Sequence, residues 1–429
     1  MPTGGRGPFW TRRSRSREQR KRPFWSVQGP PRRGGPWWLR PGPAGQDTPG
    51  GAGSAGAGQA GPGTPRGSRP SFGGGLGPAG GVPGASGTSG PSGPAHRPAG
   101  GLVWIGVRLT ALLAVVVVLA ATAGFLLERA DGGPVAAQAR STGHDALWMD
   151  HAWLDGRRGP ADLRLLAARI RGSGISDVYV FAGGLDHAGR LAAAGYAGAT
   201  AFLASFRAAC PGVRVSAWLG GVIGADHIDL SDRATRGRIV AATATVLHAG
   251  FTGVHYDLEP VTSGDPGLLA LLSASRALHP DPLSVAVPKL EPLPGMRLPA
   301  QLGTGRPVFW TPAYLTQVAS RADQVAVMSY DTGMPFQSWY GGYVERETAL
   351  ALRAVSRQTA LLMGVPAFHN GDLGHHPGAE TVAAAIHGIR VALTAAGSSA
   401  DHFGVALFAD FSATSQDWTS YLRDWVKPG

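Results

Sequence analysis

Gly250-Phe251-Thr252-Gly253-Val254-His255-Tyr256-Asp257-Leu258-Glu259-Pro260 passes from a turn signal into strict alternation and stops at a proline. Successive side chains of a strand point to opposite faces, so His255, Asp257 and Glu259 share one face and Val254, Tyr256 and Leu258 the other. If the apolar face packs on helices, the three titratable groups point inward. Burying such a set is costly unless its members are paired or used. Ionising one carboxyl disfavours ionising its neighbour, so Asp257 and Glu259 are expected to split their pKa values, with one staying protonated near neutrality. Glu259 ends the strand, reaches furthest toward an opening and is the candidate proton donor; Asp257, one pleat deeper, is its candidate orienting partner. A polar network that only braces the interior is the alternative.

Working outward, the same kind of segment recurs. Short apolar or β-branched runs fall at 146–153, 177–183, 214–222, 253–260, 283–290, 324–331, 360–368 and 404–412. Stretches of helical period lie near 160–172, 201–210, 233–249, 266–279, 312–322, 344–358, 379–396 and 416–426. Thr311-Pro312 and Ser415-Gln416 read as helix starts, with a capping hydroxyl and, in the first, a proline at the first helical position. Parallel strands need crossover helices, so the series predicts an α/β fold, a (β/α)8 TIM-type barrel over 145–429. A doubly wound open sheet is the alternative. In a barrel the chemistry sits at the carboxyl ends of the strands.

The 250–260 stretch resembles the fourth-strand signature of glycoside hydrolase family 18, the chitinase-like hydrolases, roughly F-D-G-x-D-x-D-x-E. Phe251, Gly253, Asp257 and Glu259 match, while Thr252 and His255 stand where the pattern has aspartates. Val327-Met328-Ser329-Tyr330-Asp331 resembles the family's sixth-strand M-x-Y-D, and Phe408 stands where the family commonly has a tryptophan under the sugar. The resemblance implies substrate-assisted, retaining hydrolysis of a β-linked N-acetylhexosamine chain: Glu259 protonates the glycosidic oxygen, the acetamido oxygen attacks the anomeric carbon, and Asp257 steadies the charged ring. It also implies that Tyr330 donates to the acetamido oxygen and that Asp331 contacts the sugar. At His255 a cation pairing with Asp257, an acceptor changing its pH response, or a satisfied core histidine are all open.

Sugar rings expose apolar faces, so Trp153 and Trp218 are the first candidates for platforms, with Trp310 and Trp339 behind them. His369, His375, His376 and Asp372 follow the seventh strand, but their spacing matches no compact metal site, and no metal or other cofactor is expected. Asp150-His151 lacks the paired histidines of a barrel metallohydrolase. Nucleophile elbows and phosphate loops are absent from the sequence.

The 429-residue chain carries a net charge of +11, and residues 1–100 alone carry 14 Lys and Arg against two acids. The remaining 329 residues hold 25 basic against 26 acidic side chains. The charge therefore belongs to a Gly/Pro/Ala/Arg tail too poor in large apolar residues to order itself, and no nucleic-acid-gripping fold is expected. Leu109 to Leu127 is an uncharged run of 19 residues, long enough to cross a bilayer and extended upstream to about residue 102. Arginines before it and Glu128 and Asp131 after it predict a cytoplasmic tail, a span over 102–127, a linker over 128–144 and a barrel outside the cell membrane. Cleavage after a signal-like segment, releasing the barrel, is the competing reading. A single cysteine, Cys210, permits no internal disulfide. These features predict an extracytoplasmic glycosidase acting on a peptidoglycan, chitin-like or exopolysaccharide chain; a catalytically silent glycan-binding barrel is the alternative, and a metal-dependent deacetylase a more distant one.

Overall fold

The structure, a computed structural model, describes residues 100–371, 374–397 and 401–428, with side chains from 107 onward. The basic tail before residue 100 and Asp372 lie outside the described residues. Eight parallel strands close into a barrel in sequence order: β1 (Asp145–Met149), β2 (Ile175–Gly184), β3 (Arg214–Val222), β4 (Gly253–Glu259), β5 (Leu283–Val287), β6 (Gln324–Val327), β7 (Ala360–Pro366) and β8 (Phe403–Phe408). Around them lie α2 (Pro160–Ile170), α3 (Ala199–Ala209), α4 (Arg233–His248), α5 (Pro266–Arg276), α6 (Arg297–Thr304), α7 (Pro312–Ala319), α8 (Gln337–Ala354), α9 (Val382–Ala396) and α10 (Ser415–Tyr421), preceded by α1 (Gly100–Asp131).

Alternation sorts each strand between two cores. Leu147, Met149, Val178, Val180, Val254, Tyr256 and Leu258 face the helices, where the Tyr256 hydroxyl bonds Thr243 of α4 and Ser275 of α5. Trp148, Tyr179, Trp218, Met328, Tyr330 and Phe408 fill the barrel interior. Each fully buried aliphatic side chain in the outer core contributes roughly 1.5–3 kcal/mol.

Several boundaries differ from the sequence reading; β6 ends at Val327 and β8 at Phe408, so Tyr330, Asp331 and Asp410 follow their strands instead of ending them. β1 ends at Met149, because the Asp150 carboxylate accepts from the Ala152 backbone N–H at 2.8 Å and starts a single 3-10 turn over His151–Trp153. Helix α6 falls between the segments 283–290 and 312–322, where the sequence reading assigns no element, and α8 begins at Gln337 rather than near 344. Thr311 caps α7 as expected, whereas the cap of α10 is Thr414, one residue earlier, in a reciprocal box with Asp417.

Among the described helices, one stretch, Val107–Asp131 of α1, is long and apolar enough to cross a membrane, with a mean hydropathy of 2.5. Its last turns dock on the barrel through glycines. A Cβ on Gly342 would lie 1.8 Å from the Leu127 carbonyl oxygen, and one on Gly341 would lie 1.9 Å from the Asp131 carboxylate. Beyond Asp131 the chain runs along α9: the Ala136 N–H donates to Thr394 Oγ1 at 2.9 Å, and Arg390 Nε donates to the Ala139 carbonyl at 2.8 Å.

The barrel closes on Asp145. Its Oδ1 accepts from Val405 N of β8 at 2.8 Å and Trp425 Nε1 at 2.9 Å, and its Oδ2 from Ser141 Oγ at 2.5 Å and Tyr421 Oη at 2.8 Å. Burial nevertheless pushes its pKa up to about 6. Asp145→Ala strands several buried donors, each costing on the order of 1–3 kcal/mol. The expected result is a loss of at least about 3 kcal/mol in urea unfolding; a loss below about 1 kcal/mol would remove Asp145 from the closure.

Candidate active site

Register builds the site. β3 and β4 align Trp218 with His255 and Gly220 with Asp257, and β4 aligns His255 with Ser284 of β5. Three inward layers of β4 follow, His255 lowest, then Asp257, then Glu259 at the mouth. Only Glu259 is partly exposed; His255 and Asp257 are buried.

His255 is a neutral imidazole held on both edges. Trp148 Nε1 donates to its Nε2 at 3.1 Å, so Nε2 carries no proton and Nδ1–H donates to Ser284 Oγ at 2.8 Å. Its ring stacks on Tyr179 at 3.8 Å, and burial pulls its pKa from 6.5 to about 3. Of the readings open at this position, cation pairing with Asp257 is therefore ruled out.

Above it, Trp218 Nε1 donates to Asp257 Oδ2 at 3.1 Å. Asp257 Oδ1 and Glu259 Oε1 are both buried without a hydrogen-bond partner. Burial first, and then the neighbouring Glu259 carboxyl, push the Asp257 pKa well above its ordinary value. The neutral form of Asp257 is thus favoured, beside a carboxyl that faces the opening.

Tyr330 sits across the mouth, 3% exposed, stacked on Phe408 at 5.1 Å and edge-on to Phe368 at 5.7 Å. Burial raises its pKa well above 10, with Asp257, Glu259 and Asp331 adding to the shift, so the phenol stays a donor within electrostatic reach of both carboxyls. Asp331 follows at a φ of 56°, and His375 Nδ1 lies 3.4 Å from it and 3.2 Å from Glu380. Glu380 accepts in turn from the N–H groups of Thr332 and Gly333, which anchors the 331–333 turn. The ligand atoms of Asp331, His375 and Glu380 lie within 4.8 Å of one another, close enough to hold a cation, but the backbone donors already engage Glu380.

The tryptophans separate. Trp218 is buried in the interior as the Asp257 partner, and Phe408 lies beside it at 6.4 Å. Trp153 leaves with the turn after β1, packs on Phe202, and donates to Asp410 Oδ2 at 2.7 Å. Trp310 bonds the Val261 carbonyl, and Trp339 lies against Gly124 of α1. Residues not singled out from sequence enter here: Trp148, Tyr179, Ser284, Glu380 and Asp410. Burial and then Asp150 push the Asp410 pKa up to about 7. An acid inside an apolar run at the end of the eighth strand was the available signal for Asp410. The recess lined by Arg276, His279 and Arg321 lies on α5 and the end of α7, outside the barrel.

No family model matches the chain, and no curated protein is similar to it in sequence. Solved structures similar to it include the spore cortex-lytic enzyme SleL of Bacillus megaterium, at 13% identity over 67% of this chain and 75% of that one, with a TM-score of 0.47. A class V chitinase from Pseudomonas fluorescens is 17% identical over 65% of this chain and 98% of that one, with a TM-score of 0.44. A family 18 chitinase from Cycas revoluta in complex with (GlcNAc)3 is 19% identical over 52% and 68%, with a TM-score of 0.40. At such identities and scores the likeness carries no chemistry across, and the roles below are taken from this chain's own residues.

The depressed imidazole sets a pH response. Between pH 6.5 and about 3 the unfolded chain binds a proton at His255 that the folded chain does not, so stability falls as pH drops through that window. The full effect is on the order of 5 kcal/mol. Asp145 and Asp410, raised to about 6 and about 7, act oppositely, stabilising the fold as pH falls. The difference in unfolding free energy between wild type and His255→Gln therefore isolates the imidazole. It is expected to shrink steadily from pH 6.5 to pH 4, and a pH-independent difference would contradict a neutral buried His255.

Proposed function

We propose that the barrel is a glycoside hydrolase of the chitinase-like type, cleaving a β-linked glycan that contains N-acetylhexosamine. The observation that carries this reading is the pair on β4: Asp257, whose carboxyl burial pushes toward its neutral form, beside Glu259, with Oδ1 and Oε1 buried and unpartnered. Such oxygens cost free energy in the free protein unless a ligand or a shared proton meets them.

The proton of the Asp257–Glu259 pair passes to Glu259, which gives it to the glycosidic oxygen. The acetamido oxygen of the same sugar attacks the anomeric carbon, forming a cyclic oxazolinium; water then opens it, with Glu259 as base, and the configuration is retained. Asp257, fixed by the Trp218 N–H, is then a carboxylate that accepts from the acetamido N–H, and the proton that Glu259 takes from water restores the starting state of the pair. Tyr330, kept protonated, donates to the acetamido oxygen, and Asp331 contacts the sugar hydroxyls. The stacked Tyr330–Phe408 pair supplies the apolar floor. No carboxylate nucleophile, metal or cofactor enters this scheme.

α1 is proposed as a membrane anchor that leaves the barrel outside the cell membrane, with the tail cytoplasmic. Protease added to intact cells should then digest the region after residue 145 and spare the tail; the reverse pattern would overturn the topology. A second reading, a glycan-binding barrel without turnover, is favoured by Phe408 and His255 at positions where the resemblance has other residues.

Removing a general acid typically loses ~10²–10⁴-fold in rate. Glu259→Gln is therefore expected to nearly abolish turnover of an acetamido oligosaccharide while leaving binding intact, and Asp257→Asn to cut turnover as well. A thiazoline made from N-acetylglucosamine mimics the oxazolinium and should inhibit. Full activity of Glu259→Gln would refute the assignment, and binding without cleavage by the wild type would establish the second reading.

A further inference from the structure

The end of the barrel from which α1 departs follows from its contacts. Helices of a (β/α)8 barrel begin at the mouth end, where the strands finish, and run back to the opposite end. Gly124 of α1 touches Trp339 in the first turn of α8; Asp131 meets Gly341, and its carbonyl accepts from His387 of α9 at 2.9 Å; Ala136 reaches Thr394 near the end of α9. The chain thus descends from mouth to base along α8 and α9, and α1 leaves from the mouth rim.

The same rim carries exposed apolar side chains. Beyond α1, the large apolar residues more than half exposed among the described residues are Leu165, Leu298, Leu302 and Phe336. Leu298 and Leu302 are four apart on one face of α6. Met296 and Ala300 instead pack in the cluster that seats Leu127. Phe336 lies 5.1 Å from Trp339. Gly124, which Trp339 touches, is three residues inside the apolar run that ends at Leu127, a rise of about 4.5 Å. A span that places Leu127 at the edge of the hydrocarbon therefore holds Trp339 and Phe336 at interfacial depth, where aromatic rings are stable.

We propose that this rim, Leu298 and Leu302 of α6 with Phe336 and Trp339 at the start of α8, rests in the surface of the lipid bilayer. The Asp257–Glu259 cleft then opens beside the membrane, and its substrate is an acetamido glycan attached to a lipid in that bilayer. The proposal rests on the anchor and hydrolase readings above. Continuity with α1 selects the lipid surface as the occupant over a second copy of the chain.

The test uses the full chain, with Cys210→Ala, in vesicles of phosphatidylcholine and phosphatidylglycerol, carrying a single environment-sensitive fluorophore at Phe336→Cys, Leu302→Cys or Gln358→Cys. Gln358 is exposed between α8 and β7, at the base. Lipids bearing a nitroxide at the headgroup should quench the first two probes roughly twofold or more and leave the third unchanged. Equal quenching of all three, quenching at Gln358 alone, or shielding of Phe336 that grows with protein density without lipid quenching would overturn the rim; the last outcome would assign it to a second copy. Failure of the chain to float with vesicles would remove the anchor and the proposal together. Turnover is then compared between one acetamido oligosaccharide attached to lipid in the same vesicles and the same oligosaccharide free in solution. Faster cleavage of the attached form, lost in Phe336→Ser/Leu302→Ser while the free form is cleaved unchanged, is the expected result. Equal cleavage of both forms sinks the substrate assignment and spares the hydrolase reading. Cleavage of neither sinks the hydrolase reading and the substrate assignment with it, while the quenching still decides the rim.

Discussion

Closing a parallel barrel leaves one seam, between the first strand and the last, where no short connection helps. Here the ladder across that seam has two aligned pairs, Ala146 with Ala406 and Leu147 with Leu407. Asp145, just below them, gathers a backbone donor from β8 and side-chain donors from Ser141, Tyr421 and Trp425 into one buried carboxyl. Trp148, Phe408 and Asp410 all lie above that closure. If the seam opened, the Trp148 N–H would leave His255, and Phe408 would leave Tyr330. The polar carboxyl at the base thereby governs an aromatic arrangement at the other end of the strands.

Inside the closed wall, a small number of polar groups must be satisfied without water. The lower layer solves this with neutral partners: Tyr179 with Gln324, and His255 between Trp148 and Ser284. A charged imidazole there would lose its acceptor role toward the indole and incur the desolvation cost of an isolated ion. The layer above keeps its imbalance, with two carboxyl oxygens and, beyond a proton the pair can share, no donor for either. Ser216 Oγ also lacks a partner in the lower layer, but the two unpartnered carboxyl oxygens lie side by side toward the opening, and that is where a ligand belongs.

Local pattern and long-range register were not equally legible. The alternation in 254–259 fixes which residues face inward before any neighbour is known, because it depends on the pleat alone. The repeat of eight strand and helix segments likewise points to the barrel, whose closure the strand order then establishes. Partners of the inward residues depend on how strands slide past one another, so Ser284 beside His255, or Glu380 beneath the turn after Tyr330, had no local signal. Trp153 shows the converse failure: the apolar run 146–153 looks continuous, but the Asp150 carboxylate captures a backbone N–H two residues on and turns the chain away. Helix α6 was hidden by prolines, one of which, Pro299, falls in the first turn, where no intrahelical donor is lost.

The seat of α1 on the barrel is made by the absence of side chains. Gly341 and Gly342 admit Asp131 and the Leu127 backbone at distances that a methyl group would forbid, and Gly388 of α9 admits the Gly341 carbonyl in the same way, 2.1 Å from where a Cβ would lie. A contact of that kind reads the path of a backbone and is largely indifferent to what that backbone carries. Upstream of Ala123 the apolar residues of α1 are therefore free to drift among Leu, Val, Ile and Ala over evolutionary time, while the three glycines are not. Variation among descendants of this chain should accordingly be lopsided at the junction, permissive on the helix and frozen on the barrel.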